Sequence, residues 1–200
     1  TKIVPDHQNW YGNMEDYVKD KRLIYADQVY SEENSCYSIF DFDEDLPEHV
    51  PNKELHSESS WGQLFANESK ACVLRYSKTG LNDGAFGVWL EENKDAKAFG
   101  KVFLQGMKEP EVILNGLSVP GEHMKANVLN AALTLFLMGV DAEKIVEICK
   151  SWPGIDHRLQ YFYTWHFDGK EYKFYNDSCA TVPEAAAMAT QAFEKSVILF

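Results

Sequence analysis

The chain has 200 residues, enough for one large or two small domains that each bury a core. Hydrophobic residues at 45% with 14% aromatics exclude a disordered chain. A formal net charge of −12, from 31 acidic against 19 basic side chains, excludes the broad basic footprint of a nucleic-acid-binding protein, so anionic substrates would be met locally by a metal ion and a few placed basic groups.

In chain order, Asn13 reads as the N-cap of a helix running to about residue 26, with Asp16 at the capping-box position and Glu15 near the positive end of the dipole. Its apolar stripe is Met14, Tyr17, Val18, Ile24 and Tyr25, and Lys21 lies on the same stripe. Residues 28 to 120 change character. Strand-like runs at 37 to 42, 71 to 76, 85 to 90, 101 to 104 and 112 to 114 alternate with polar, acidic or glycine-containing turns, which predicts a β-rich lobe with solvated acidic faces.

Helical periodicity returns from His123 to Met138, where Ala126, Leu129, Leu133, Phe136 and Leu137 make one broad apolar face that Gly139 ends. Asp141 caps a second helix to about Lys150, giving a helical hairpin. Gly154 marks a hinge, and the runs 159 to 167 and 170 to 176 flank Asp168-Gly169, a strong two-residue hairpin signal. The loop Asn176-Asp177-Ser178-Cys179-Ala180-Thr181-Val182-Pro183-Glu184 then joins a strand to a helix over 183 to 194, with a strand-like run at 196 to 200. Thr181 and Glu184 have capping-box spacing and Pro183 sits inside the first turn. The pattern predicts an α/β protein.

Cys36, Cys72, Cys149 and Cys179 are scattered without a C-x-x-C pair, so they read as individual reduced thiols. The longest apolar run, near 131 to 140, is broken by Thr134 and Gly139 and is too short to cross a bilayer, and no signal peptide is visible, so a cytoplasmic location and no membrane partner are expected. Thr1 at one end and Val197-Ile198-Leu199-Phe200 at the other read as cuts in a longer chain.

Five places can carry chemistry. A lysine on an apolar stripe either snorkels to water or sits desolvated as a nucleophilic amine, which sets the two readings of Lys21. His7, in a Pro-Asp-His turn, is either a hydrogen-bonded structural residue or a ligand. The amide of Asn127 has the donor and acceptor to read an adenine edge or to make a helix contact. The guanidinium of Arg158 suits a phosphate or a surface ion pair. The loop 176 to 184, opening a helix, is an ordinary cap or an anion site. Cys179 has no oxyanion-hole signature beside it, so a catalytic cysteine is not expected.

Four segments in one order carry a resemblance: Pro5-Asp6-His7 with Tyr11-Gly12-Asn13-Met14-Glu15-Asp16-Tyr17 and Lys21; Gly121-Glu122-His123 with Asn127; Pro153-Gly154-Ile155-Asp156-His157-Arg158; and Asp177-Ser178-Cys179-Ala180-Thr181. Together they resemble the Mur ligase family, and the last of them its D-glutamate-adding branch. The match covers 5 to 25 and 119 to 194, about half the chain.

The resemblance implies residues 1 to 152 as the distal part of the central ATP-binding domain, with its β-rich portion, and 153 to 200 as the start of a Rossmann-like C-terminal domain that receives the amino acid. It implies an ATP-dependent ligase of peptidoglycan synthesis that joins D-glutamate to UDP-N-acetylmuramoyl-L-alanine through an acyl phosphate, monomeric as a whole protein. Mg²⁺ would be held by His7 and a carbamylated Lys21, both catalytic. ATP would be held by Asn127, Arg158 and Asp177, and D-glutamate by Ser178 and Thr181. Met124, Cys179 and Val182 depart from the family pattern. No G-x-x-x-x-G-K-[ST] phosphate loop occurs in the 200 residues, so the isolated chain is expected to be inactive. The alternatives are a ligase of this or the folylpolyglutamate type adding another amino acid, and a non-catalytic nucleotide-binding module.

Overall fold

A computed structural model describes residues 3, 10–31, 35–43, 60–81, 84–95 and 98–194, apart from the side chain of Glu184. His7 and the expected strand at 196 to 200 lie outside the described residues. The chain forms two compact units, one of Thr1–Glu91 with Lys101–Glu111 and one of Glu92–Gly100 with Val112–Phe200. Residues 152 and 153, on either side of the expected domain boundary, both belong to the second unit.

In the first unit, helix α1 (Met14–Ala26) begins where the sequence predicts. The Asp16 N–H donates to Asn13 Oδ1 at 2.9 Å, and Asn13 Nδ2 donates to the Asp16 carboxylate at 3.0 Å, so two groups at the helix start are satisfied reciprocally. Tyr17, Val18 and Tyr25 form the buried face. Ile24, expected on that stripe, is 76% exposed, because the stripe narrows to the 17, 18, 21, 25 rows that meet the sheet-side aromatics.

Strands β1 (Tyr37–Asp41), β2 (Cys72–Ser77) and β3 (Gly87–Leu90) pair in parallel. Parallel neighbours need a crossover, and the chain supplies one that the sequence reading lacked: helix α2 (Trp61–Glu68), capped by Ser60, whose Oγ accepts from Gln63 N–H at 3.1 Å. Its Trp61, Leu64 and Phe65 recur at helical spacing and are buried against Tyr25 and Phe40. Gly62 lets the first turn of α2 lie on the Asp41 carbonyl, where any Cβ would collide with the backbone. Arg22 and Tyr25 both bind Glu68, and burial followed by the Glu68 hydrogen bond pushes the Tyr25 phenol above its ordinary range. The lobe between 28 and 120 is therefore a β-α-β arrangement within a mixed α/β fold rather than a run of strands alone. β4 (Phe99–Phe103) and β5 (Glu111–Asn115) follow, each with residues in both units.

In the second unit, α3 (Glu122–Leu137) and α4 (Ala142–Ser151) make the predicted hairpin, with Gly139 at φ +87 between them. The buried face of α3 is Met124, Val128, Leu129, Ala132 and Leu133, rotated from the one expected: Ala126, Phe136 and Leu137 are half-buried. Asp141 occupies the α4 cap position without a side-chain hydrogen bond. Antiparallel β6 (Gln160–Phe167) and β7 (Lys170–Asn176) meet at Asp168-Gly169, both with positive φ as a type I′ turn requires. A bulge lies between Tyr161 and Tyr163. Helix α5 (Pro183–Gln191) starts one residue later than the capping-box spacing suggested: Val182 is the cap and makes no side-chain hydrogen bond.

Candidate functional site

Three segments of the second unit converge: the start of α3, the turn before β6 and the loop after β7. The turn is built by strain and hydrogen bonds together. His157 and Leu159 have φ of +64 and +42, a left-handed geometry that costs a non-glycine residue about 1–3 kcal/mol, and they flank Arg158. Four contacts hold this backbone. Arg158 N–H donates to the Ile155 carbonyl at 3.1 Å, His157 N–H to Gln160 Oε1 at 3.0 Å, Cys179 N–H to the His157 carbonyl at 3.0 Å, and Leu159 N–H to Asp177 Oδ1 at 2.9 Å. The Leu159 side chain is buried and anchors the turn, so the exposed Arg158 is displayed from a fixed base.

Asp177 is half-buried and commits one carboxylate oxygen to Leu159. Its carbonyl accepts from Ala180 N–H at 2.9 Å, closing the turn that carries Ser178 and Cys179. Ser178, Cys179 and Thr181 are exposed ahead of α5, where Pro183 carries no N–H and the Ala185 N–H donates to the Val182 carbonyl at 3.1 Å.

From α3, Gly121 at φ +98 lets the His123 ring fold back beside it. A Cβ on Gly121 would meet His123 Cε1 at 2.8 Å and Leu159 Cδ1 at 3.4 Å. His123 is half-buried, and burial first and the Arg158 guanidinium second hold its pKa below the ordinary imidazole range, with Asp177 pulling the other way. His123, Arg158 and Asp177 thus share one electrostatic locus. Asn127 is exposed one turn along α3 from His123. Met124, which departs from the family pattern, is 1% exposed: it is a core residue.

Arg158, Asp177 and Asn127 stand out in the sequence motifs, whereas His123, although it stands in the Gly121-Glu122-His123 motif, and the structural parts of His157, Leu159 and Asn176 emerge only from the fold. Lys21, in the first unit, is half-buried between Tyr17 and Tyr25 on α1, with Nζ 5.2 Å above the Tyr17 ring. No group of three metal-ligating His, Cys, Asp or Glu side chains gathers among the described residues. No described helix is long and apolar enough to cross a membrane.

No family model matches the chain. It is 30% identical over 201 residues to the UDP-N-acetylmuramoylalanine--D-glutamate ligase of Lacticaseibacillus casei, covering 99% of the chain and 36% of that protein. The Latilactobacillus sakei ligase of the same name is 29% identical (100% and 36%), and that of Treponema pallidum 25% identical (100% and 43%). The chain therefore spans less than half the length of these curated relatives. Among solved structures, MurF from Acinetobacter baumannii matches with a TM-score of 0.59 over 96% of this chain and 35% of that one, and a UDP-N-acetylmuramoyl-L-alanyl-D-glutamate--2,6-diaminopimelate ligase with 0.56 over 94% and 33%. Both are 16% identical and share the fold.

Proposed function

We propose, from its likeness to the D-glutamate ligases, that this chain belongs to the Mur ligase family and is part of an ATP-dependent ligase that joins D-glutamate to UDP-N-acetylmuramoyl-L-alanine in peptidoglycan synthesis. The observation that carries this reading is the Arg158 turn tied to the Asp177 carboxylate, within a chain that aligns end to end with D-glutamate ligases.

In the proposed reaction the substrate carboxylate takes the terminal phosphoryl group of ATP and becomes an acyl phosphate. The D-glutamate amine then attacks the acyl carbon, phosphate leaves and an amide forms. Arg158 is suited to phosphate oxygens, because it stays charged and presents a planar pair of donors. Asp177 keeps one oxygen for Leu159 and has the other for a ribose hydroxyl. The Asn127 amide serves the adenine edge. The Ser178 and Thr181 hydroxyls offer donors to the D-glutamate carboxylate. His123, kept neutral beside Arg158, adds no competing positive charge. Catalysis on this plan is positioning and stabilisation of developing charge.

We further propose Lys21 and His7 as catalytic Mg²⁺ partners, Lys21 after its neutral amine adds carbon dioxide and releases a proton to become a carbamate. Bound Mg²⁺ would neutralise phosphate charge. Lys21 by itself makes no metal site, and no group of three metal-ligating side chains gathers around it among the described residues. Residues 1 to 152 would be the distal part of the central ATP-binding domain and 153 to 200 the start of the C-terminal domain that receives the amino acid and lends Arg158 and Asp177 to ATP, in a cytoplasmic, monomeric parent without nucleic-acid or membrane partners. The 200-residue chain by itself would be inactive, since it contains no phosphate loop.

Phosphate release by the intact parent with ATP and UDP-N-acetylmuramoyl-L-alanine, offered D-glutamate, L-alanine or L-lysine in turn, tests the reading. Turnover with D-glutamate alone is expected. Preference for either of the others would overturn the substrate, and no turnover with any of the three would overturn this ligase assignment.

A further inference from the structure

We propose that Asn176 is a positioning residue that ties the Arg158 turn to the Asp177-Ser178 loop by holding His157 in one neutral tautomer, a role that rests on reading Arg158 and Asp177 as nucleotide-binding groups.

The assignment follows from donor and acceptor chemistry. The Ser178 backbone N–H can only donate, and it lies 3.1 Å from Asn176 Oδ1, which identifies that end of the amide as the oxygen. The other end, Nδ2, can only donate, and it lies 2.9 Å from His157 Nδ1. Nδ1 must therefore present a lone pair, so the ring proton sits on Nε2. Asn176 is the last residue of β7 and pairs in register with Gln160, whose side chain accepts from the His157 N–H. One amide thus bonds the residue before Arg158 and the residue after Asp177. The backbone bond from Cys179 N–H to the His157 carbonyl runs beside it. Without the amide, the strained φ of His157 keeps its cost and loses a side-chain contact that offsets it.

Long-range ¹H–¹⁵N correlation spectra of the 200-residue chain at neutral pH report the tautomer directly. The wild type should show the His157 proton on Nε2. In Asn176→Asp the carboxylate still accepts from Ser178 but offers His157 only an acceptor, so the ring should switch to a proton on Nδ1. In Asn176→Ala, amide exchange at Leu159 and Cys179 should rise about tenfold. An Nδ1 proton in the wild type, an unswitched ring in Asn176→Asp, or unchanged exchange in a folded Asn176→Ala would each overturn the coupling. Asn176→Asp keeps the test open if the alanine variant fails to fold.

ATP titration of the intact parent and of its Asn176→Ala variant, followed at the Arg158 and Asp177 amides, separates the two levels. Tighter binding by the wild type than by Asn176→Ala, by about tenfold, is expected. Equal binding overturns the positioning role and leaves the nucleotide reading standing. No response in the wild type sinks the nucleotide reading, and with it the purpose of the tie, whatever tautomer is found.

Discussion

The backbone N–H of Leu159 donates to Asp177 Oδ1 at 2.9 Å, across 18 residues of sequence that contain the whole β6–β7 hairpin. A carboxylate that also fixes the neighbouring arginine turn has a structural share in any function assigned to it. Asp177→Ala should therefore lose about 1–3 kcal/mol of stability, whereas Asp177→Asn keeps an acceptor for Leu159 and should lose less. Urea denaturation of the three proteins distinguishes them, and equal loss in both variants would show that charge matters more than the acceptor.

His123 gives a pH dependence with a definite sign. Its folded pKa is depressed, so between that value and the ordinary imidazole value near 6.5 the unfolded chain binds more protons and stability rises with pH. The contribution is complete above the ordinary value, declines as pH falls through the window, and levels off below the folded value. His123→Gln should flatten this part of the profile, measured by denaturant midpoints from about pH 7.5 down to about pH 5. A variant profile parallel to the wild type would remove His123 from the locus.

Gly121→Ala should destabilise the second unit by about 1–2 kcal/mol, because it sets a Cβ 2.8 Å from His123 Cε1 in a left-handed backbone geometry. Thermal melts with the His123 ring resonances as reporter will show whether the ring moves, as expected. An unchanged melting temperature and ring environment would contradict the close approach.

In the intact parent, Arg158→Lys should lower kcat/KM by about ten- to a hundredfold, since lysine keeps the charge and loses the two-point contact. Cys179→Ser should change it less than about threefold, because the thiol is exposed and its contact with the Asp156 carbonyl is a long one of 4.0 Å, which a hydroxyl can also make. Steady-state kinetics decide. A folded but inactive Cys179→Ser protein would give the thiol a role denied to it here.

Lys21→Ala in the intact parent should be folded and nearly inactive, and acetate or formate should restore part of the activity by replacing the anionic carbamate. Rescue by small amines and not by carboxylates would instead favour a lysine that contacts phosphate. Activity is measured against each additive in turn.

What the sequence by itself determined is local. Asn13 with Asp16, Gly139, Asp168-Gly169 and Pro183 each act within a few residues, through a cap, a left-handed turn or a missing N–H, and each sits where its chemistry predicts. Arg158, Asp177 and Asn127 were legible as candidates because they stand in recognisable short motifs. The tertiary structure decided what depends on partners far along the chain. α2 is a short helix fixed by the parallel pairing of β1 with β2 and by burial of Trp61, Leu64 and Phe65, which an eight-residue pattern hardly announces. The rotation of the α3 face that buries Met124, the exposure of Ile24, and the joining of His157, Leu159, Asn176 and Asp177 into one hydrogen-bonded base arise only when separate segments compete for the same core and the same donors, and periodicity along one segment does not contain that competition.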